Sequence, residues 1–173
     1  MPRVLKRAAL FVAFVLLWAV VAAAMAQAAT HEVVRFEGYA PGTIVVRTSE
    51  RHLYYVLDGY RALRFPVGVG RAGMQWTGVA RVEGKYVWPA WQAPPSIRRE
   101  NPRLPRVIPG GAPNNPMGAA ALTLRGGEYA IHGTNRPASI GRFVSHGCIR
   151  MYNRDIDALY ALVPVGAPVV VLR

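Results

Sequence analysis

The 173-residue chain has a single cysteine, Cys148, and only two lysines, Lys6 and Lys85. A lone cysteine cannot form an intramolecular disulfide, so a disulfide-stabilised scaffold is excluded. Acidic residues are also scarce, because 9 Asp and Glu stand against 21 Lys and Arg, which gives a formal net charge of +12. The positive charge is therefore almost entirely arginine, whose planar guanidinium suits carboxylates and phosphates.

The first residues have the features of a secretory signal peptide. Three basic residues precede the apolar run 8–24, and the small residues after it suit cleavage after Ala26 or Ala28. A permanent membrane anchor is the alternative, but the run is short for a bilayer span, which takes about 20 residues. We therefore predict that residues 1–26 are a signal peptide and that the protein is exported to the periplasm or cell envelope.

The remaining chain is predicted to be one domain, since it has no internal repeat and no room for a second core. We expect an N-terminal extension over residues 27–42 and the main folded domain over residues 43–173. An exported basic protein meets anionic wall polymer and lipid surfaces rather than nucleic acid, although a solvated basic face is the alternative. Contact with a membrane is expected only through an uncleaved signal segment.

Short runs of β-branched and aromatic residues predict strands through most of this domain. The first three runs are 43–47, 53–57 and 61–69, with Asp58 and Gly59 as a tight turn. Two more hairpins are predicted, and they pair 76–82 with 85–88 and 119–124 with 128–132. A last buried strand is expected over 169–172.

One helix is predicted, and it begins at Asn153, a good N-cap residue type. Apolar residues then recur at i, i+3, i+4 and i+7, so one face should pack on a sheet; they are Ile156, Leu159, Tyr160 and Val163. The fold class that follows is mainly β, a β-sandwich or mixed sheet with one C-terminal helix packed on it.

The segment from Pro89 to Pro116 holds eight of the 14 prolines. This density predicts neither a helix nor a central strand. Its tryptophans favour an ordered arm lying on the body of the domain rather than a disordered loop. The arm is a candidate wall or lid of a cleft.

The run 131–151 contains Cys148 and two histidines, His132 and His146. A thiol needs a base to become the nucleophilic thiolate, and an imidazole can supply it. Gly147 allows close backbone approach, so its amide and that of Cys148 could serve an oxyanion. Strand alternation would put His146 on the same face as Cys148, while His132 could approach the sulfur from a neighbouring strand. Sequence spacing therefore does not decide which histidine is the base.

Two other interpretations compete with a cysteine nucleophile. His132, His146 and Cys148 are all zinc-ligand types, but structural zinc usually takes four ligands and the sequence offers no fourth nearby. The second alternative is a non-catalytic basic module that binds wall polymer, with Cys148 buried and inert.

The segments HGTN (132–135), SIG (139–141) and SHGCIRM (145–151) resemble the active-site signature of the L,D-transpeptidase catalytic domain, the YkuD-type family. The resemblance covers about 43–172, since the other matching segments are LYYVLDG, FPVGVGRAG, WPAWQAPP and GGAPNNPMG. It implies the YkuD fold and a peptidoglycan acyltransferase without metal or cofactor. Stem peptides would be its substrates, and carbapenem β-lactams would be covalent inhibitors.

The resemblance also implies residue roles. Cys148 would be the acylated nucleophile, His132 the general base, and the Gly133 carbonyl the group that orients it, with His146 as a supporting residue. The positions that would line the site or bind substrate are Ser145, Arg150, Asn135, Arg136 and Arg142. The implied reaction is attack on the diaminopimelate–D-alanine bond of a tetrapeptide stem, followed by transfer to an amine in a 3,3 cross-link, to water or to another acceptor.

Overall fold

The computed structural model describes residues 31–126 and 129–173. The predicted signal segment, residues 1–26, lies outside the described residues. Within those two ranges, no helix is both long and apolar enough to cross a bilayer.

The described chain is mainly β. Its strands are β1 (Glu32–Arg35), β2 (Ile44–Arg47), β3 (His52–Val56), β4 (Arg61–Pro66), β5 (Val69–Gly70), β6 (Gly78–Val87), β7 (Trp91–Gln92), β8 (Val107–Ile108), β9 (Ala120–Leu124), β10 (Ala130–His132), β11 (Phe143–Ser145), β12 (Ile149–Arg150) and β13 (Pro168–Leu172). Its helices are α1 (Pro95–Glu100), α2 (Asn153–Leu162) and a 3-10 turn at Pro137–Ser139.

Nine strands form one mixed sheet in the order β1-β4-β3-β2-β13-β6-β9-β10-β12. The β2/β13 and β10/β12 pairs are parallel, and the other neighbours are antiparallel. Apolar residues from both ends of the sheet, such as Phe65 on β4 and Ile149 on β12, belong to one buried cluster that also includes Leu159 of α2. The sheet therefore curves around this main core, while a smaller buried cluster that includes Phe36 and Tyr54 packs separately. The predicted fold class is confirmed.

The predicted hairpin at Asp58 and Gly59 is confirmed, because β3 and β4 pair antiparallel across it. The Asp58 carboxylate accepts hydrogen bonds from the N–H groups of Tyr60 and Arg61, at 2.9 and 2.8 Å. The hairpin of β9 and β10 is also confirmed by their antiparallel pairing. β1 lies in the predicted extension and adds a strand next to β4.

The prediction of a hairpin turning at Glu83 and Gly84 is wrong. Residues 78–87 form one continuous strand, β6, whose pairing with β9 shifts register between Val82 and Gly84. The residue types that suggested a turn instead make a bulge, because β13 and β9 hold the two halves of the strand in the same sheet.

Helix α2 has the predicted buried face, with Ile156, Leu159 and the following Val163 in the core. Asn153 is not its N-cap, however, because the N-cap position is Tyr152 and no side chain makes the capping bond. The Asn153 Oδ1 atom instead accepts the N–H groups of Ala119 and Thr134, at 3.2 and 2.9 Å. The helix is thereby tied to the loop that follows β10.

The proline-rich arm, defined as residues 89–116, is ordered but does contain a helix. Pro94 and Pro95 occupy the N-cap and first position of α1, where a missing N–H costs no helical hydrogen bond, and the next proline follows the helix end. β7 and β8 pair within the arm. The buried Asn115 closes it by donating to the carbonyl oxygens of Pro89 and Pro109, both at 2.9 Å.

Candidate active site

Parallel strands β10 and β12 place the main candidate residues side by side. Ile131 pairs with Ile149, and His132 pairs with Arg150. Cys148 directly precedes β12, so side-chain alternation puts it on the same face as Arg150 and His132. All three side chains line one cleft of about 430 Å³.

His132 is buried, with 4% of its surface exposed. Its Nδ1 lies 2.6 Å from the Gly133 carbonyl oxygen and donates its proton there, which leaves Nε2 as the basic nitrogen. Burial, helped by the charge of Arg150, lowers the pKa of His132 to about 4, although the carbonyl of Gly133 opposes this shift. The imidazole is therefore neutral at pH 7 and able to accept a proton.

Ser145 holds the turn that presents Cys148. Its buried hydroxyl donates to the Cys148 carbonyl oxygen at 2.6 Å and accepts the Gly147 N–H at 3.1 Å. The predicted oxyanion role of Gly147 therefore requires its amide to exchange Ser145 for a ligand. The Ser145 side chain acts on the shape of the turn in this structure, although it also borders the cleft.

Two aromatic residues that no sequence motif identified enclose the same turn. Trp76 Nε1–H donates to the Gly147 carbonyl oxygen at 3.0 Å, and the indole stacks on Tyr129 with 5.0 Å between ring centroids and 5° between planes. Trp76 and Tyr129 are far apart in sequence, and no motif linked either of them to Cys148. The only signal in the sequence was the position of Trp76 shortly after Gly70 and Gly73.

His146 points toward the arm. Its Nε2 lies 2.9 Å from a carboxylate oxygen of Glu100, at the end of α1, and the other oxygen of Glu100 pairs with Arg71 at 2.6 Å. Hydrogen bonds from His146 and then Arg71 lower the pKa of Glu100. The arm is thus fastened beside the cleft by a histidine that precedes the cysteine by two residues.

The predicted substrate-binding residues do not all lie together. Arg150 lies between the cleft and an adjoining cavity of about 250 Å³, and Arg136 and Asn135 line that second cavity. Arg142 is exposed and lines neither. The structure therefore brings together Arg150, Arg136 and Asn135, and places Arg142 apart.

Arg150 is a partly buried cation close to Cys148. Burial lowers its pKa, and the neighbouring Cys148 opposes that shift. Its Nε is buried and has no hydrogen-bond partner within residues 31–126 and 129–173. In the same ranges, no three His, Cys, Asp or Glu side chains are grouped so as to hold a metal ion.

A family model described as the L,D-transpeptidase catalytic domain, YkuD, matches residues 41–171. The chain belongs to this family. The match includes both strands that carry the candidate residues, and it confirms the resemblance seen in the sequence.

Known relatives agree with the family. A probable L,D-transpeptidase of Escherichia coli K12, ErfK/SrfK, is 43% identical over 138 residues, which cover 75% of this chain and 43% of that protein. The chain thus spans less than half the length of this curated relative. In structure, L,D-transpeptidase 3 from Mycobacterium tuberculosis superposes with a TM-score of 0.62 at 18% identity, covering 76% of this chain and 60% of that one.

A Brucella melitensis protein named a probable carnitine operon oxidoreductase is also similar. It is 38% identical, with a TM-score of 0.55, and the match covers 82% of this chain and 92% of that chain. The same fold thus occurs in a protein that bears the name of another reaction class.

Proposed function

We propose that the protein is a peptidoglycan L,D-transpeptidase that uses Cys148 as its nucleophile. The observation that carries the proposal is the pairing of β10 with β12, which brings Cys148 and His132 to one cleft while Gly133 fixes the imidazole tautomer. This arrangement has the parts that thiol acyl transfer needs, a thiol, a neutral base and an orienting group. The family match and the Escherichia coli relative both bear the name L,D-transpeptidase, which supports acyl transfer as the reaction.

In the first half-reaction, His132 Nε2 takes the thiol proton and the sulfur attacks the carbonyl carbon between diaminopimelate and terminal D-alanine. A carbon–sulfur bond forms, the peptide C–N bond breaks, and D-alanine leaves as an amine with the proton from His132. The Cys148 amide donates to the oxyanion, joined by that of Gly147 when it exchanges its Ser145 partner.

In the second half-reaction, an amine of another stem attacks the thioester. A new C–N bond forms, the carbon–sulfur bond breaks, and the amine proton passes through His132 back to sulfur. Water in place of the amine would make the same site an L,D-carboxypeptidase. Arg150, with its buried unpartnered Nε, supplies the charge to bind a stem carboxylate, and Arg136 adds to it.

Carbapenems and related β-lactams should acylate the same sulfur. The Mycobacterium tuberculosis L,D-transpeptidase 3, which shares this fold, has been solved with a faropenem-derived adduct. The proposed location is the periplasm or cell envelope, after removal of residues 1–26. Intact-protein mass spectrometry after exposure to a carbapenem would show one adduct in the parent protein and none in Cys148→Ala.

The deciding experiment incubates residues 27–173 with purified tetrapeptide stems and identifies the products by mass spectrometry. Cross-linked dimers support the transpeptidase, and tripeptides alone support the carboxypeptidase. We expect Cys148→Ala to abolish both products, His132→Ala to reduce them at least a hundredfold, as general bases usually contribute about that factor or more, and His146→Ala to act more mildly. If the parent protein forms neither product, and if it and Cys148→Ala bind wall polymer equally well, the non-catalytic module would be favoured instead.

A further inference from the structure

Trp88 is an exposed aromatic residue in a strained backbone conformation. It is 54% exposed, and its φ of +46° lies in the left-handed region that non-glycine residues seldom adopt. Its N–H donates a 2.7 Å bond to the Ala119 carbonyl oxygen, and its own carbonyl oxygen lies 1.9 Å from where a Cβ on Gly110 would stand. Such strain persists where the surroundings enforce it, and it is concentrated at functional sites.

Trp88 lines a third cavity, of about 370 Å³, which we call the Trp88 cavity. Tyr152 forms a second aromatic wall, and Thr134 and Asn135 contribute hydroxyl and amide groups. Every residue lining this cavity is in the described part of the chain, and none carries a charge, although the net charge of the sequence is +12. Aromatic walls with neutral polar groups suit an uncharged polar ligand such as a sugar.

The Trp88 cavity is linked to the candidate active site by an intervening cavity that shares lining residues with both. Arg150 and His146 line both the Cys148 cleft and the adjoining cavity, and Asn135 lines both that cavity and the Trp88 cavity. Three neighbouring cavities therefore form a row from the cysteine to Trp88, and we call this row the groove. Its charged residues lie at the cysteine end, where the peptide carboxylates would be, and its neutral aromatic end lies away from the sulfur.

We propose that the Trp88 cavity binds a sugar ring of the peptidoglycan glycan strand while the attached stem peptide occupies the charged part of the groove. The proposal rests on the proposed function, because it names the part of that substrate beyond the peptide. The indole face would stack on the ring, and Tyr152 and Asn135 would meet its hydroxyl groups.

The test compares two ligands, a free tetrapeptide stem and the same tetrapeptide joined to its disaccharide. Binding is measured by calorimetry on Cys148→Ala protein, so no turnover is needed. The test variant is Trp88→Gly, because glycine accepts the φ of this position and keeps the fold. Two further variants are controls. Trp88→Phe retains an aromatic face, and Tyr60→Ala removes an exposed aromatic residue from the β3–β4 turn, which does not line the cavity.

We expect Cys148→Ala protein to prefer the disaccharide ligand, and Trp88→Gly to lower that affinity about fivefold while affinity for the free tetrapeptide stays within twofold. Phenylalanine should restore part of the preference, and Tyr60→Ala should preserve it. Equal affinities for the two ligands, or a preference unaffected by Trp88→Gly, would overturn the inference and leave the proposed reaction standing. A Trp88-dependent preference in a protein whose native form shows no turnover would uphold it and reject the reaction.

Discussion

The indole Nε1–H of Trp76 donates a 3.0 Å hydrogen bond to the carbonyl oxygen of Gly147, the residue before Cys148. Trp76 also stacks on Tyr129, whose ring occupies the space beside Gly147. Because Ser145 bonds the same turn from within, the backbone that carries the sulfur is held from both sides. The position of the proposed nucleophile thus depends on residues distant in sequence.

Trp76→Phe should slow acylation of Cys148 without unfolding the protein. Phenylalanine keeps the stack on Tyr129 but removes the donor, which leaves the Gly147 carbonyl without this bond. Loss of one such bond costs about 1 kcal/mol, so we expect roughly a fivefold slower mass gain with a carbapenem. Trp88→Phe is the matched control, and equal rates for the two variants would show that the indole donor does not position the turn.

Gly147→Ala should be both unstable and inactive. Gly147 has φ of +117°, and a Cβ there would lie 2.3 Å from the nearest Tyr129 ring atom. We expect a loss of about 2–3 kcal/mol in the free energy of unfolding, measured with urea. Gly59→Ala is the control, since nothing lies within 4 Å of a Cβ there and its φ is not positive. Similar stabilities would contradict the packing described.

The buried His132 should make stability fall as the pH is lowered. The unfolded imidazole takes up a proton near pH 6.5, whereas the folded one resists protonation down to about 4. Between these two pH values the unfolded state binds more protons than the folded state. The free energy of unfolding is therefore highest above pH 6.5 and decreases as the pH falls toward 4. We expect this effect to change the free energy of unfolding by about 3 kcal/mol. It is measured by urea unfolding at several pH values, as the difference between the parent protein and His132→Gln. Parallel curves would refute the shifted pKa.

His146→Ala should loosen the proline-rich arm. The variant removes one of the two partners of Glu100, and Arg71 keeps the other contact, so the effect is modest. We expect trypsin to cut after Arg98 and Arg99 about twice as fast, followed by mass spectrometry of the fragments. His52→Ala, on β3, is the control. Unchanged cleavage would mean that other contacts, such as those of Asn115, hold the arm.

Much of the fold was predictable because local patterns agreed with tertiary structure. Runs of β-branched and aromatic residues mark β2 and β3, and the spacing of apolar residues in α2 determines which face of the helix is buried. The hairpin predicted at Glu83 and Gly84 was wrong because turns and bulges use the same residue types. Only the neighbouring strands distinguish the two. The prediction that the arm contains no helix was wrong because proline is tolerated at the first position of a helix, where Pro95 lies.

The site was predictable in composition but not in its contacts. Cys148 and His132 could be selected from their residue types and from a motif that the family shares. The contacts of His146 with Glu100, and of Trp76 with Gly147, join residues 46 and 71 positions apart, and no local pattern records them. The catalytic and substrate-binding roles of all these residues remain predictions.

The place of β13 in the sheet affects how the protein is made. Residues 168–172 lie between β2 and β6, and no other strand in the described part of the chain bridges these two. On a ribosome, both edges stay open until that segment has been translated, because the contact that closes the structure is among the most distant in the chain. Such late closure would keep the nascent polypeptide unfolded for longer, which suits the proposed export across a membrane before folding.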